Sequence, residues 1–338
     1  VLSGCEDIFK IGLGDEVDIT DPTVALTSHE PGSYLAGLIV FAGTAREAPA
    51  GAGADAGIGV ISAGDILDGG DTAGDDASGA ALGSSEDLQT TNLLIGSDGA
   101  TGKNSTGGVL NAIEIATDNL TAGSGSYGMF LSETDAVTVR EVSTSINRVG
   151  TDAATSSVDD TQEDLYTTGT GAGEGNIVLV SGGTMTVTEG ANDVAVDRDG
   201  GADAADLVGA SAAGSGNVLL KATAGDLDIQ SGVAVETGHI SLDSDSGNIL
   251  QSAAGDIAAG GAGTIDVYAQ NGSIIMSDGA TTTGAGGNVR YVATQNVALA
   301  GIPAGPGDVR IAPASGAITD HGAPHTDVIA GDLQRKTA

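Results

Sequence analysis

The chain has 338 residues, of which 56 are glycine, and it contains three Phe, five Tyr and no Trp. A core with so few aromatic side chains must be built from small and β-branched aliphatic residues. The 46 acidic residues against 11 basic ones give a net charge of −35, which predicts no nucleic-acid partner because phosphate backbones are repelled. The hydrophobic content of 40% argues against a disordered chain.

The N-terminus contains the single cysteine, Cys5, which cannot form an internal disulfide. The residues before it, Val1-Leu2-Ser3-Gly4, resemble a bacterial lipobox, in which a cysteine after small residues is lipidated. The resemblance implies that Cys5 carries a lipid anchor and that residues 1–20 form a leader and linker. A cysteine without lipid is the alternative. No apolar run reaches the roughly 20 residues that span a bilayer, so no transmembrane segment is expected.

Two alternating runs follow, Asp21–Ser28 and Tyr34–Ala45, separated by a Pro31-Gly32 turn. Alternation on both sides of such a turn predicts a β-hairpin. The pattern is also similar to the opening strands of bacterial immunoglobulin-like surface domains, although the remaining strands of such a sandwich do not follow. We therefore expect residues 21–50 to form a β-hairpin or immunoglobulin-like cap.

From Gly175 onward a short phrase recurs, in which a glycine and a polar residue precede alternating aliphatic residues. Each phrase predicts one short strand that starts at a tight turn. Examples are Gly216-Asn217-Val218-Leu219-Leu220, Gly247-Asn248-Ile249-Leu250, Gly287-Asn288-Val289-Arg290-Tyr291 and Gly307-Asp308-Val309-Arg310-Ile311. The spacing between every second glycine of this phrase averages about 18 residues, which we take as the length of the repeat.

These features predict an all-β fold, a right-handed parallel β-helix whose coils of two or three strands stack at about 4.8 Å. Inward positions would form ladders of Val, Ile, Leu and Ala, and asparagine side chains would form ladders along the turns. We assign this shaft to residues 51–338. An antiparallel sandwich array and a propeller are the alternatives, but neither accounts for a core of such small residues.

Five segments of the sequence resemble a known family. They are residues 85–94, 115–122, 128–139, 175–187 and 315–320. They are similar to the filamentous-haemagglutinin-type repeats of very large bacterial surface proteins. The resemblance implies a secreted β-helical shaft, extracellular or at the cell surface, that acts in a filament, matrix or adhesin without catalysis. The partners we expect are other copies of the chain, in a fibre, and a cell-surface or matrix polysaccharide.

Two acidic loops offer the carboxylate oxygens that Ca²⁺ prefers, and a solvated acidic loop is the alternative for each. The candidate ligands are Asp68, Asp71, Asp75 and Asp76 in the first loop and Asp197, Asp199, Asp203 and Asp206 in the second. Neither loop matches an EF-hand or a calcium-binding nonapeptide. His321 and His325 lie on a loop with Gly322 and Pro324, which favours a solvated loop over a metal pair. Self-repulsion at a charge of −35 predicts that assembly depends on salt or divalent cations.

A polysaccharide-active β-helix enzyme is the main alternative function, and an S-layer-like coat protein is another. Two carboxylate pairs could supply a general acid and base, because alternation places both members of a pair on one side of a strand. These pairs are Asp226 with Asp228 and Asp243 with Asp245. Sugar subsites need aromatic platforms and anionic substrates need basic residues, and both are scarce. We therefore expect no enzymatic activity.

Overall fold

The computed structural model describes residues 57–68, 86–102, 112–125, 127–168, 175–189, 208–321 and 326–335, and the backbone of five short strands between residues 8 and 47. Every regular element among them is a β-strand. From residue 208 onward the strands pair in parallel with the third strand before them along the chain, except that a single parallel bridge between Thr281 and Gly301 takes the place of one such pairing. The chain therefore winds as a parallel β-solenoid, and the predicted all-β, parallel β-helical class is confirmed.

Three faces make up the solenoid from residue 129 onward, and each coil contributes one strand to each face. Face A consists of β10 (Met129–Glu133), β15 (Ile177–Ser181), β18 (Val218–Ala222), β21 (Ile240–Ser244), β24 (Ile265–Ala269), β27 (Val289–Ala293), β30 (Val309–Pro313) and β33 (Leu333–Arg335). Face B consists of β11 (Val137–Val139), β16 (Met185–Val187), β19 (Leu227–Ile229), β22 (Ile249–Gln251), β25 (Ile274–Met276), β28 (Val297–Leu299) and β31 (Ile318–Asp320). Face C consists of β14 (Leu165–Thr167), β17 (Val208–Ala212), β20 (Gly232–Val235), β23 (Ile257–Ala259), β26 (Thr282–Gly284), β29 (Ile302–Pro303) and β32 (Val328–Ile329).

Nine strands precede these faces and continue the parallel pairing towards the N-terminus. They are β1 (Ile8–Lys10), β2 (Val17–Ile19), β3 (Thr23–Thr27), β4 (Leu38–Phe41), β5 (Ala45–Glu47), β6 (Gly57–Ser62), β7 (Ile66–Asp68), β8 (Leu88–Ser97) and β9 (Ile113–Ser124). The long strand β9 pairs with β10, β11 and β14 in turn, so it supplies all three faces of its coil.

The repeat length differs from the prediction. Equivalent corner residues of successive coils are separated by 22 residues between Asn217 and His239, 25 between His239 and Thr264, and 20 between Asn288 and Asp308. The predicted repeat of 18 is wrong because it assumed two glycine turns per coil. Glycines occur at different corners in different coils, so counting every second one mixes the three faces.

The core is a stack of small and aliphatic side chains, as predicted. Leu220 and Leu242, at the centre of their face A strands, are no more than 1% exposed. Burying each such side chain contributes roughly 1.5–3 kcal/mol. Tyr291 occupies the equivalent position two coils later and is fully buried, and its hydroxyl lies 2.6 Å from Thr282 Oγ1 and 3.3 Å from Gln251 Oε1. The one polar atom of this large ring is therefore satisfied inside the core.

The hairpin predicted for residues 21–50 is wrong for the strands that the structure describes there. Strand β3 pairs in parallel with β6, and β4 pairs in parallel with β1 and β7. The two segments thus belong to successive coils rather than to one hairpin. Strands β1 and β2, inside the predicted leader and linker, pair in the same way with β4 and β5. Parallel winding therefore begins before residue 51.

An antiparallel hairpin interrupts this parallel stack between β11 and β14. It consists of β12 (Val142–Val149) and β13 (Thr155–Gln162). At its base, Val142 and Thr144 are 3% exposed, and Thr144 packs on the backbone at Gly59 of β6. Gln162 Nε2 donates to Ile95 O at 3.0 Å, which ties the second strand to the stack. The outer half of the hairpin is exposed to solvent.

Candidate functional site

The predicted calcium loops and the lipidation site lie almost wholly outside the described residues. Of the eight candidate aspartates only Asp68 is described; it ends β7 and is 8% exposed. Asp71, Asp75, Asp76, Asp197, Asp199, Asp203, Asp206 and Cys5 lie outside the described residues. Within the part of the chain that the structure describes, no group of three or more His, Cys, Asp or Glu side chains is placed to hold a metal ion.

A ladder of polar side chains runs along the corner that precedes face A. Asn176 Oδ1 accepts from the backbone N–H of Asn217 at 3.0 Å, and Asn217 Oδ1 accepts from the N–H of His239 at 2.9 Å. His239 Nδ1 then accepts from the N–H of Thr264 at 3.0 Å. Each rung thus satisfies a turn N–H of the next coil, and the predicted side-chain ladder is confirmed with backbone N–H groups as its donors.

The glycine of the recurring phrase is required by the close approach of successive coils. A Cβ atom on Gly238 would lie 1.8 Å from the carbonyl oxygen of Gly216, and one on Gly263 would lie 2.0 Å from that of Gly238. Such distances are far below van der Waals contact, so any side chain would separate the coils. In the recurring phrase, the glycine therefore allows close contact between coils, the polar residue forms a rung of the ladder, and the aliphatic residue begins the strand.

A second ladder runs along the corner that precedes face B. Asp226 Oδ1 accepts from the N–H of Asn248 at 2.7 Å, and Asn248 Oδ1 accepts from the N–H of Ser273 at 3.0 Å. Ser273 Oγ and Asn296 Oδ1 continue it to the following coils. Polar turn residues at both corners are thus part of the stacking itself.

The carboxylate pairs considered as a general acid and base are engaged in contacts of this kind. Lys221 Nζ lies 3.2 Å from Asp243 Oδ2 and 2.8 Å from Asp245 Oδ1. Asp226 is a rung of the second ladder, and Asp228 Oδ2 accepts from Gln230 Nε2 at 2.7 Å. These four carboxylates hold coils and turns together.

His321, one of the two histidines considered as a metal pair, is described. Its Nδ1 lies 2.9 Å from the backbone carbonyl of Met276, so this nitrogen donates a hydrogen bond. His325 lies outside the described residues.

Glu133, the last residue of β10, is a buried acid at 0% exposure. Its carboxyl oxygens accept from the N–H of Thr117 at 3.1 Å and of Asp135 at 3.3 Å. Burial raises the pKa of Glu133 to about 9 and outweighs these N–H donors, so the side chain is protonated at neutral pH. The next two coils place Ser181 and Ala222 at this position.

Face A carries arginines near its C-terminal end. Arg290 Nε lies 2.7 Å from Asp266 Oδ1, and its guanidinium carbon lies 5.8 Å from the centroid of the Tyr268 ring. The hydrogen bond to Asp266 raises the pKa of Arg290, although burial acts in the opposite direction. Arg310 stands beside Arg290 in the register of β27 and β30 and is exposed. On β33 the residue beside Arg310 is Gln334, while Arg335 is in register with the buried Ile311 and lines the hollow at the end of the stack.

An exposed carboxylate on the hairpin is oriented by hydroxyl groups. Ser145 Oγ and Ser157 Oγ donate to Asp159 Oδ1 at 2.5 and 2.7 Å. These two hydrogen bonds, Ser145 first, lower the pKa of Asp159, which is therefore ionised at neutral pH. No described residue donates to Asp159 Oδ2, so one carboxylate oxygen remains open to solvent.

Three of these features were not predicted from the sequence: the hairpin, the buried Glu133 and the neighbouring arginines. The arginines had a signal, because Arg290 and Arg310 occupy the same place in two successive glycine phrases. Residues at the same position of two stacked phrases lie next to each other on adjacent strands. No sequence signal indicated that Glu133 is buried, because its burial depends on the turn against which its side chain packs in the folded chain.

Comparison with protein-family models, with curated proteins and with solved structures finds no match. The class is therefore defined by the geometry alone: the described residues form a three-faced parallel β-solenoid with polar ladders at its corners and the inserted β12–β13 hairpin. Among the described residues, no helix is long and apolar enough to cross a membrane.

Proposed function

We propose that this chain is a non-catalytic extracellular structural protein, a β-helical shaft that forms or decorates a cell-surface filament, matrix or adhesin. The observation that carries the proposal is the continuous parallel pairing of face A from β10 to β33. Strand pairing on this face joins each coil only to the coil before it and the coil after it, so coils add along one axis. A shaft needs this property, whereas a catalytic site does not.

The use of the polar residues supports a structural role. The four candidate acid and base carboxylates contact Lys221, Gln230 or the backbone of the next coil. A carboxylate committed to such contacts is poorly placed to exchange protons with a substrate. The enzyme alternative gains no support from these residues.

The last described coil leaves strand edges and apolar side chains with which a further coil could pair. Among the described strands, β31, β32 and β33 pair on one side only. Ile329 and Leu333 are 56% and 47% exposed, and a hollow of about 400 Å³ beside Leu333 is lined by Leu299, Ile311 and Ile318. A further coil, of this chain or of another copy, would cover these groups by the pairing that joins the earlier coils.

The extracellular location, the lipid anchor at Cys5 and calcium at the two acidic loops belong to the same proposal. The location is supported by the resemblance of residues 80–338 to filamentous-haemagglutinin-type repeats. Calcium is supported by the charge of −35, because divalent cations would reduce repulsion between copies.

Sedimentation velocity of the purified 338-residue chain tests the proposal, over a range of concentration, salt, Ca²⁺ and EDTA. We expect assemblies that grow with concentration and shrink when EDTA replaces Ca²⁺. Leu333→Lys should weaken assembly, while Ala258→Lys, the same added charge on an exposed residue of face C, should not. A chain that stays monomeric at high concentration in the presence of Ca²⁺ would overturn the proposal.

A further inference from the structure

We propose that Arg290 and Arg310, here called the arginine strip, form a docking surface for the acidic β12–β13 hairpin of a second copy of this chain. The inference rests on the proposed self-assembly and names the surfaces that join two shafts side by side. Three features support it: the distribution of charge along the chain, the exposed side chain of Arg310 and the geometry of Asp159.

Charge is distributed unevenly along the chain. Residues 86–168 contain thirteen acidic and three basic residues, whereas residues 265–338 contain six acidic and four basic residues. The part that carries the hairpin is therefore strongly acidic, and the part that carries the arginine strip is nearly neutral. Two copies would attract each other only where unlike parts meet.

Within the arginine strip, Arg310 is the group without a partner. Arg290 is held by Asp266 and lies against the ring of Tyr268. Arg310, its neighbour in register, forms no side-chain hydrogen bond or ion pair with any residue that the structure describes. Because Asp266 already neutralises Arg290, the exposed guanidinium of Arg310 is the group of the strip that can accept a carboxylate from another copy.

The β12–β13 hairpin presents such a carboxylate. Asp159 is exposed and ionised, and two serine hydroxyls fix Oδ1 while Oδ2 is open. Asp160 follows on the same strand, and Asp152 lies in the turn at the tip. A carboxylate that is already oriented loses little freedom when its open Oδ2 accepts a charge-assisted hydrogen bond from a guanidinium N–H.

The two surfaces differ, so their contact is heterologous and propagates from copy to copy instead of closing as a dimer. The hairpin leaves the coil of β10, and the arginine strip begins five coils later on β27 and continues on β30. Two shafts pointing the same way would be displaced along the axis by five to six coils, roughly 24–29 Å at about 4.8 Å per coil. A staggered lateral array is the expected product.

Charge exchange between copies tests the docking. Arg310→Asp and Asp159→Arg should each reduce lateral self-association about tenfold in sedimentation velocity at moderate salt. An equimolar mixture of the two variants should restore it, because each acidic hairpin then meets a basic strip and each basic hairpin an acidic strip. Arg140→Gln, which removes an exposed arginine elsewhere in the stack, serves as the control and should assemble like the wild type. Circular dichroism and urea unfolding establish that each variant is folded.

The possible outcomes separate the two proposals. If the wild type assembles and both charge variants assemble equally well, or if the mixture fails to restore assembly, the docking of hairpin and arginine strip is wrong while the structural shaft stands. If the wild type does not assemble under any condition, the proposed function itself is overturned, and the docking with it.

Discussion

The coils of the regular stack, residues 208–335, differ from those of the earlier region, residues 86–168, in the length of their strands and in how the strands are connected. In the regular stack, strands of two to five residues alternate with turns whose polar side chains form rungs between coils. In the earlier region, β8 and β9 run for 10 and 12 residues across the corners, a hairpin is inserted and Glu133 is buried. The comparison shows which features the solenoid needs for folding and which it only tolerates.

The largest effect should come from breaking the close contact of coils in the regular stack. We expect Gly238→Ala to lower the free energy of unfolding by about 3 kcal/mol, because its Cβ would lie 1.8 Å from the carbonyl oxygen of Gly216. Gly301→Ala is the matched control, since the nearest atom to its Cβ is 3.4 Å away. Its effect should stay within about 1 kcal/mol. Urea unfolding measures both, and equal losses would contradict the role given to the glycine contacts.

The buried Glu133 should make the earlier region sensitive to pH. Its pKa is raised from 4.5 to about 9, so between these values the folded chain holds a proton that the unfolded chain releases. Its contribution to stability is therefore complete below pH 4.5 and is lost as the pH rises to 9. We expect Glu133→Gln to be more stable than the wild type by about 2 kcal/mol at pH 6 and nearly equally stable near pH 4.5.

Urea unfolding across this pH range measures the difference, with Asp118→Asn as the control for loss of one carboxylate from an exposed site. The control matters because a charge of −35 makes every carboxylate repulsive as the pH rises. A gap between Glu133→Gln and wild type that does not change with pH would show that Glu133 is ionised in the folded chain.

The smallest effect concerns one rung of the corner ladder. His239 Nδ1 accepts the N–H of Thr264, a task that Asn performs at Asn217. His239→Ala should cost about 1 kcal/mol because the Thr264 N–H loses its acceptor. His239→Asn should be close to wild type in thermal and urea unfolding. If both variants lose the same stability, the imidazole contributes by packing and not as an acceptor.

The fold could be predicted from the sequence because its phrase has a direct physical meaning at each position. Gly247, Asn248 and Ile249 supply the close contact, the rung and the inward side chain in turn. The number of strands per coil could not be predicted, since the turn before face C has no constant phrase: Ser231 precedes β20 and Thr281 precedes β26.

The candidate surfaces were less predictable than the fold. Arg290 and Arg310 could have been paired by aligning their phrases once the phrases were known to stack. The β12–β13 hairpin could not have been predicted, because its serines, threonines and valines alternate as they do in any exposed strand. Whether Ser145 and Ser157 meet Asp159 depends on the antiparallel register, which no local pattern specifies.

The central claim is that parallel coils stack along one axis into a shaft used in a surface assembly. Electron microscopy of the purified chain with Ca²⁺, combined with diffraction from aligned material, tests it most directly. The account predicts rods or filaments with a repeat of about 4.8 Å along the long axis, since strands cross that axis and coils stack along it. Separate compact particles without that axial repeat would contradict it.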